Sequence, residues 1–276
     1  MAIVARGKET YLWLTGIRPK SSVRLSPHVE LLAANSKLTP EQLTGMVKNH
    51  FEYAVALLVV PLVRSQLRVT AENAKQLAAI AWNAQWDCLL LGALFDTNVL
   101  WNLQSEIAVD DIGAKDTLNI TNAHLSGVHH QSEYVLTDQD ESWLNSHFET
   151  AKQLLGKPAF QTAVHSLASF HWHTHPRAQL ALIWSGIESI FGIESELVFR
   201  VSLYTARFLA PDDQSERLKI FGNVKKLYKQ RSAAVHGSDM KGDSKNAVRE
   251  SATVLRRLVR RCAETNGLPV VESLAP

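Results

Sequence analysis

The sequence predicts a mainly α protein. Its C-terminal part, residues 138–276, reads as an antiparallel helical bundle, and residues 1–137 as a mixed, mostly helical region carrying a small β-hairpin. Three observations point there. From residue 138 onward, apolar residues recur at spacings of three and four in one segment after another. Short connections marked by glycine or proline separate those segments, which favours antiparallel neighbours. Alternation of period two, the mark of a half-buried strand, is concentrated in residues 9–34.

The stretches "TYLWLTG" and "SVRLSPHVELL", separated by Gly16 and Pro19, give the expected hairpin. Residues 39–104 then turn helical. Thr39 before Pro40 is a helix-start signal. The segment "TAENAKQLAAIAWNAQWDCLLLGALFDTNVLWNL" starts at the N-cap candidate Thr70 and is apolar on most faces, which predicts a central buried helix with Trp82, Trp86 and Trp101 in the core. Residues 105–137 read as loops with two short strands. In the bundle, Asp138 is the expected cap of "SWLNSHFETAKQLL", and a further helix is expected at about 157–172. "PRAQLALIWSGIESIFG" carries the stripe Leu180, Ile183, Trp184, Ile187, Ile190 and Phe191, with Gly192 as terminator. "SELVFRVSLYTARFLAP" stops at Pro211. "SERLKIFGNVKKLYKQRSAAVHG" follows, and "SKNAVRESATVLRRLVRRCAETNG" closes the bundle through Val254, Leu255, Leu258, Val259 and Cys262.

Hydrophobic residues are 46% and charged residues 20% of the 276, a globular balance that excludes a disordered chain. The net charge of +2 selects no partner, but its distribution is uneven. Residues 212–264 hold 13 Lys/Arg against 7 Asp/Glu, or +6, leaving −4 for the remainder. A basic segment on an acidic body suits a polyanion. Cys88 and Cys262 lie far apart in apolar surroundings, which suggests a reducing compartment. "MAIVARGKETYLWL" lacks signal-peptide character, and the apolar run at 53–63 is too short to span a bilayer. A cytoplasmic protein with no membrane partner is expected.

One segment carries chemistry. In "KKLYKQRSAAVHGSD", the expected core stripe Phe221, Val224, Tyr228, Arg231, Val235 places an arginine where an apolar residue belongs. Burying a guanidinium costs several kcal/mol unless an anion meets it. Glu188, at the edge of the Trp184/Phe191 stripe, is one candidate; a phosphate, gripped bidentately, is the other. His236 falls in the last turn, where the helix dipole favours the imidazolium. An arginine and a histidine beside a phosphate suffice for RNA cleavage without a metal: the imidazole moves the proton, and the guanidinium stabilises charge on phosphorus. Five residues on an ideal helix rotate the two side chains roughly 140° apart, and a two-fold dimer would bring both to one cleft.

The R-x4-H element "RSAAVHG", with "ALIWSGIESIFG" and "LYTARFLA" ahead of it and "LYKQ" just before, resembles the HEPN superfamily, and within it the ApeA-like group found in bacterial defence settings. The resemblance covers about residues 140–265. It implies a helical bundle, homodimerisation through the face bearing the motif, and metal-independent endoribonuclease activity on RNA such as tRNA, with no cofactor. Arg231 and His236 carry over as catalytic residues, Glu188 as a supporting acid, and Ser232 and Tyr228 as their supports. Active members commonly have Asn, Asp or His after the arginine; Ser232 departs from that. Arg256, Arg257, Arg260 and Arg261 are the expected RNA-backbone contacts. The alternative is a non-catalytic module that binds nucleotide, RNA or a regulatory protein. Internal neutralisation of Arg231 by Glu188 is the feature that separates the two.

Rival signals are weaker. His171, His173 and His175 would share a face on a strand but fan apart on a helix, so zinc is disfavoured. His129 and His130 have no more to support them. The chain holds no Gly-rich phosphate loop, no G-x-S-x-G and no paired catalytic carboxylates.

Overall fold

The computed structural model describes residues 3–126, 128, 133–193, 197–240 and 242–275. The chain divides into two compact units, Met1–Glu149 and Thr150–Pro276.

The first unit contains far more sheet than a hairpin. Six antiparallel strands run in the order β3-β4-β5-β1-β6-β7: β1 Glu9–Thr15, β3 Val23–Ser26, β4 Val29–Ala33, β5 Val63–Thr70, β6 Leu103–Ser105 and β7 Asn119–Ile120. β2 (Ile17–Arg18) pairs separately with β8 (Tyr134–Val135). The hairpin expected across Gly16 and Pro19 does not form: "TYLWLTG" is β1, which pairs with β5 and β6, and the hairpin within residues 9–34 is β3–β4, inside "SVRLSPHVELL". The sheet is organised by β1, whose six residues after Glu9 are all buried, and by β5, which falls inside a stretch expected to be helical. β5 alternates Val63, Ser65, Leu67 and Val69 with Arg64, Gln66, Arg68 and Thr70, a period of two.

The sheet is covered on both sides. Helices α1 (Pro40–Met46) and α2 (His50–Val59) contribute Leu43, Met46, Val55, Ala56 and Val59 to a core with Tyr11 and Trp13. Helix α3 (Ala74–Leu94) packs on β1 and β5, and none of its residues joins that core, so it covers the Leu12/Leu14 face. Thr39 caps α1 with a capping box through Gln42, as expected. The cap of α3 is Asn73; Thr70 ends β5 instead. α3 is long and apolar enough to cross a bilayer, but most of it is buried within the protein, as a core helix is. Trp82, expected in the core, is 50% exposed, and Trp86 and Trp101 are half-buried.

Helix α4 (Asp138–Leu154) crosses the boundary between the units. Its cap is Thr137, whose hydroxyl accepts from the Asp140 amide at 3.2 Å, so Asp138 lies inside the first turn and does not cap it. The second unit is helical among the described residues: α5 Pro158–Ser169, α6 Pro176–Phe191, α7 Leu197–Leu209, α8 Gln214–Val235, α9 Ser244–Glu264 and the single turn α10 Val271–Leu274. Gly192 (φ 60°) and Gly237 (φ 74°) terminate α6 and α8 in the left-handed region that glycine tolerates. Cys88 and Cys262 are buried free thiols, and burial pushes Cys262 up to about 12.

α6 packs against α5, α7, α8 and α9. Trp184 is fully buried, donates from Nε1 to Ser251 Oγ of α9 at 3.1 Å, and meets the Tyr228 ring of α8 edge-on at 5.2 Å. Gly186 lets the helices close: a Cβ there would lie 2.7 Å from Leu255 Cδ2, 3.0 Å from Ser166 Cβ and 3.2 Å from Ala163 Cα. Gly186→Ala should therefore destabilise this unit by about 1–3 kcal/mol despite alanine's better helix propensity. Urea unfolding followed by tryptophan fluorescence checks it; an unchanged or raised midpoint would show that the junction has slack.

Candidate functional site

The buried seam of α8 is Ile220, Val224, Leu227, Tyr228 and Ala234. It differs from the expected stripe at both ends, since Phe221 is half-buried and Val235 is 49% exposed. Arg231 nevertheless lies on the inner side, and its side chain is only 19% exposed. Its Nη2 donates to Glu188 Oε2 of α6 at 2.9 Å, and its guanidinium carbon lies 5.4 Å from the Tyr228 ring centroid, a cation–π contact.

This ion pair is only partly satisfied. A guanidinium and a carboxylate can join through two parallel hydrogen bonds, yet here one bond forms, and Glu188 Oε1 and Arg231 Nε are both buried without a partner among the described residues. Burial, only partly opposed by Arg231, holds the Glu188 carboxyl above the usual carboxylate range. Burial likewise pushes the Tyr228 phenol up.

His236 does not belong to the last helical turn. It is the C-cap of α8 (φ −87°, ψ 7°), with its amide donating to Ser232 O at 3.0 Å, so ideal-helix rotation does not set the direction of its imidazole. The side chain is exposed and has no hydrogen bond among the described residues. Ser232 is half-buried one residue beyond Arg231.

Sequence reasoning missed Arg177. From the first turn of α6, its Nη1 donates to Ala233 O at 2.8 Å and Ala234 O at 3.3 Å, and its Nη2 donates to Ser238 O at 2.7 Å. These carbonyls flank His236 on both sides and include two that a helix end leaves without partners. His175 caps α6 by accepting the Arg177 amide at Nδ1, 3.3 Å. The detectable signal was an arginine directly after a helix-starting proline, but only the tertiary fold brings it to α8.

The α9 arginines are less free than expected. Arg257 pairs with Glu216 of α8 at 3.6 Å and Arg261 with Glu264 at 3.7 Å, both partly exposed, and Arg256 and Arg260 are engaged as well. The histidines at 171–175 separate: His171 stacks on Phe170 at 3.8 Å, while His175 serves as a cap. Among the described residues no group of three or more His, Cys, Asp or Glu could hold a metal ion. His129 and His130 lie outside the described residues. Comparison with family models, curated proteins and solved structures finds no match.

Two outcomes test this geometry. Arg231→Met strands the buried Glu188 carboxylate and should cost about 1–3 kcal/mol at neutral pH. Since the folded carboxyl already holds its proton more tightly than the unfolded one, stability from this group is present at low pH and is lost as pH rises through the folded value. The cost of Arg231→Met should therefore shrink as the pH is lowered from neutral and Glu188 takes up its proton; denaturant curves at neutral and at acidic pH with equal or larger loss in acid would contradict the assignment. In a second test, Arg177→Met should speed amide hydrogen exchange at His236, Gly237 and Ser238 while leaving α9 protected. Unchanged exchange there would mean that Arg177 does not hold the turn.

Proposed function

We propose that the Thr150–Pro276 unit acts on RNA as a metal-independent endoribonuclease of the HEPN type, ApeA-like in its motif order, working in the cytoplasm during bacterial stress or phage defence. One observation carries this reading. A half-buried guanidinium, held from α6 by a single hydrogen bond, shares the end of α8 with an exposed imidazole that bonds to nothing else described. The charge of the unit supports it: Thr150–Pro276 holds 18 Lys/Arg against 11 Asp/Glu, a net of +7, while Met1–Glu149 holds 11 against 16, or −5.

In the proposed reaction the ribose 2′-oxygen attacks the adjacent phosphorus, its proton passes to a base, and the departing 5′-oxygen takes a proton from an acid. The products are a 2′,3′-cyclic phosphate and a 5′-OH. His236 supplies the acid or the base; a second copy across a two-fold axis supplies the other. Arg231 stabilises the negative charge that builds on the phosphoryl oxygens, with Glu188 as its positioning acid and Tyr228 beneath it.

A second reading has its own observation. The pairing of Arg231 with Glu188 inside the chain favours a non-catalytic module that binds RNA or a regulatory protein, because a neutralised guanidinium is the arrangement expected of a structural ion pair. The open valences of that pair, Oε1 and Nε, favour the catalytic reading, since a pair built only for stability would close them.

Incubating the protein with total RNA and EDTA, beside His236→Ala, separates the two. Cleavage that survives chelation, leaves cyclic-phosphate and 5′-OH ends, and falls by about 100-fold or more without the imidazole is the expected result. Products with 5′-phosphates, or equal cutting by the variant, would reject the mechanism.

A further inference from the structure

Of the expected RNA contacts on α9, Arg257 and Arg261 pair with acids of the chain itself and Arg256 and Arg260 are engaged as well; other basic residues of the unit are not. One stands out. Arg217, in the second turn of α8, is half-buried; no hydrogen bond or ion pair engages its guanidinium, and its Nε is sealed from solvent with no acceptor among the described residues. A guanidinium in that state calls for an anion. It lines an open groove of about 530 Å³ between α7 and α8, with Phe199, Leu203, Leu218 and Phe221. Phe199 and Leu218 are 52% and 68% exposed, and the rings of Phe199 and Phe221 meet edge-on at 6.0 Å. Lys225 Nζ stands 5.9 Å from the Phe221 centroid. Arg207, also in the lining, spends its Nη1 on the carbonyls of Leu274 and Ala275, so among the described residues Arg217 is the groove's uncommitted cation.

We infer that this groove is a subsite for single-stranded RNA, in which a base stacks on the exposed Phe199 ring beside Phe221 and the adjoining phosphate meets Arg217. The inference rests on the RNA-directed reading above and adds the strand form and the seat of the substrate. Its warrant is charge and shape. Among the described residues no carboxylate lines the groove; two guanidinium groups and the Gln214 amide do, and the rest is aromatic or aliphatic. An apolar helix of a protein partner would cover Arg217 without supplying an acceptor. A nucleotide supplies a π-face and a phosphate a few ångströms apart, the pairing that sequence-tolerant single-strand sites use. A duplex keeps its bases stacked inside and offers no free face.

The test uses full-length His236→Ala protein, so that RNA stays intact, with short fluorescent oligo(U), oligo(A) and a duplex of matching length. Phe199→Ala should weaken both single strands by about 5- to 100-fold, the loss of one stacked base, and leave duplex binding within about 2-fold. Arg217→Gln should flatten the dependence of log affinity on log salt by roughly 0.7, one phosphate's share. Circular dichroism confirms that each variant is folded; Phe199 is exposed enough for its removal to be tolerated. Parent-like binding of single strands by both variants overturns the subsite. So does equal loss for single strand and duplex, or a groove variant that changes only the oligomeric state, which would make the groove a protein interface. The two readings fail separately: RNA held by the groove but never cut by the His236 parent removes the nuclease and keeps the subsite, while cutting with affinity unchanged in both variants does the reverse.

Discussion

Helix α6 can occupy the middle of its unit only because residue 186 has no side chain. At that level the backbone of α5, a leucine of α9 and the α6 axis converge to distances at which a Cβ would overlap. Close approach places Trp184, fully buried, against Tyr228 of α8 and within reach of Ser251 of α9. A large ring with one polar handle, satisfied at a single hydroxyl, fixes rotation as well as depth. One turn further along, that rotation delivers Glu188 to Arg231. The chemistry proposed for this domain therefore depends on a packing constraint that involves no functional group.

α8 is a poor helix to anchor by burial alone. Lys225, Lys226 and Lys229 occupy its exposed side, and its apolar seam is interrupted by Arg231. It is held from α6 at two places by polar contacts, the Glu188 carboxylate and the Arg177 guanidinium. The first is weak by construction, since one hydrogen bond serves groups that could make two, and the carboxyl is raised by its own burial. The second makes three hydrogen bonds to backbone carbonyls around the cap. The end of the helix is thus fixed more firmly than the charge just before it, an arrangement that holds the backbone around His236 while leaving a guanidinium electrostatically responsive.

Legibility from sequence followed locality. Gly192, Gly237 and the Thr39–Pro40 start are encoded within a few residues and were readable. The stripe of α9 was too, because its apolar period is unbroken. The sheet was not. β5 alternates correctly, but it directly follows the apolar run of α2 and Pro61, where a helical reading absorbs it, and its pairing with β1 joins residues 48 to 61 positions apart. Thr137 was passed over for Asp138 because both are good caps, and only the Asp140 amide decides between them. At the candidate site the anomaly of Arg231 and its partner Glu188 were legible as residues out of register. Arg177 was not, since nothing in its own surroundings says that three carbonyls of another helix need donors.

The distribution of compensated and uncompensated charge bears on how such a domain would meet a polyanion. The +7 of the second unit overstates its available charge, because the α9 arginines are engaged, two of them in visible pairs with Glu216 and Glu264. Those pairs are partly exposed and worth at most about 1 kcal/mol each, so a phosphate can exchange with the acid at little cost, and they confer field without position. Arg217 and Arg231 are half-buried, and each holds an Nε that nothing described satisfies, as Arg256 and Arg261 of α9 also do, so an anion that reaches them relieves a penalty already present in the folded chain. Arg217 and Arg231 both lie on α8, fourteen residues or about 21 Å of helix apart. On the proposed reading, a strand engaged at Arg217 would need only a few nucleotides to reach the Arg231 end, and the two half-buried arginines of this helix would serve as holding and chemical sites while its lysines face solvent.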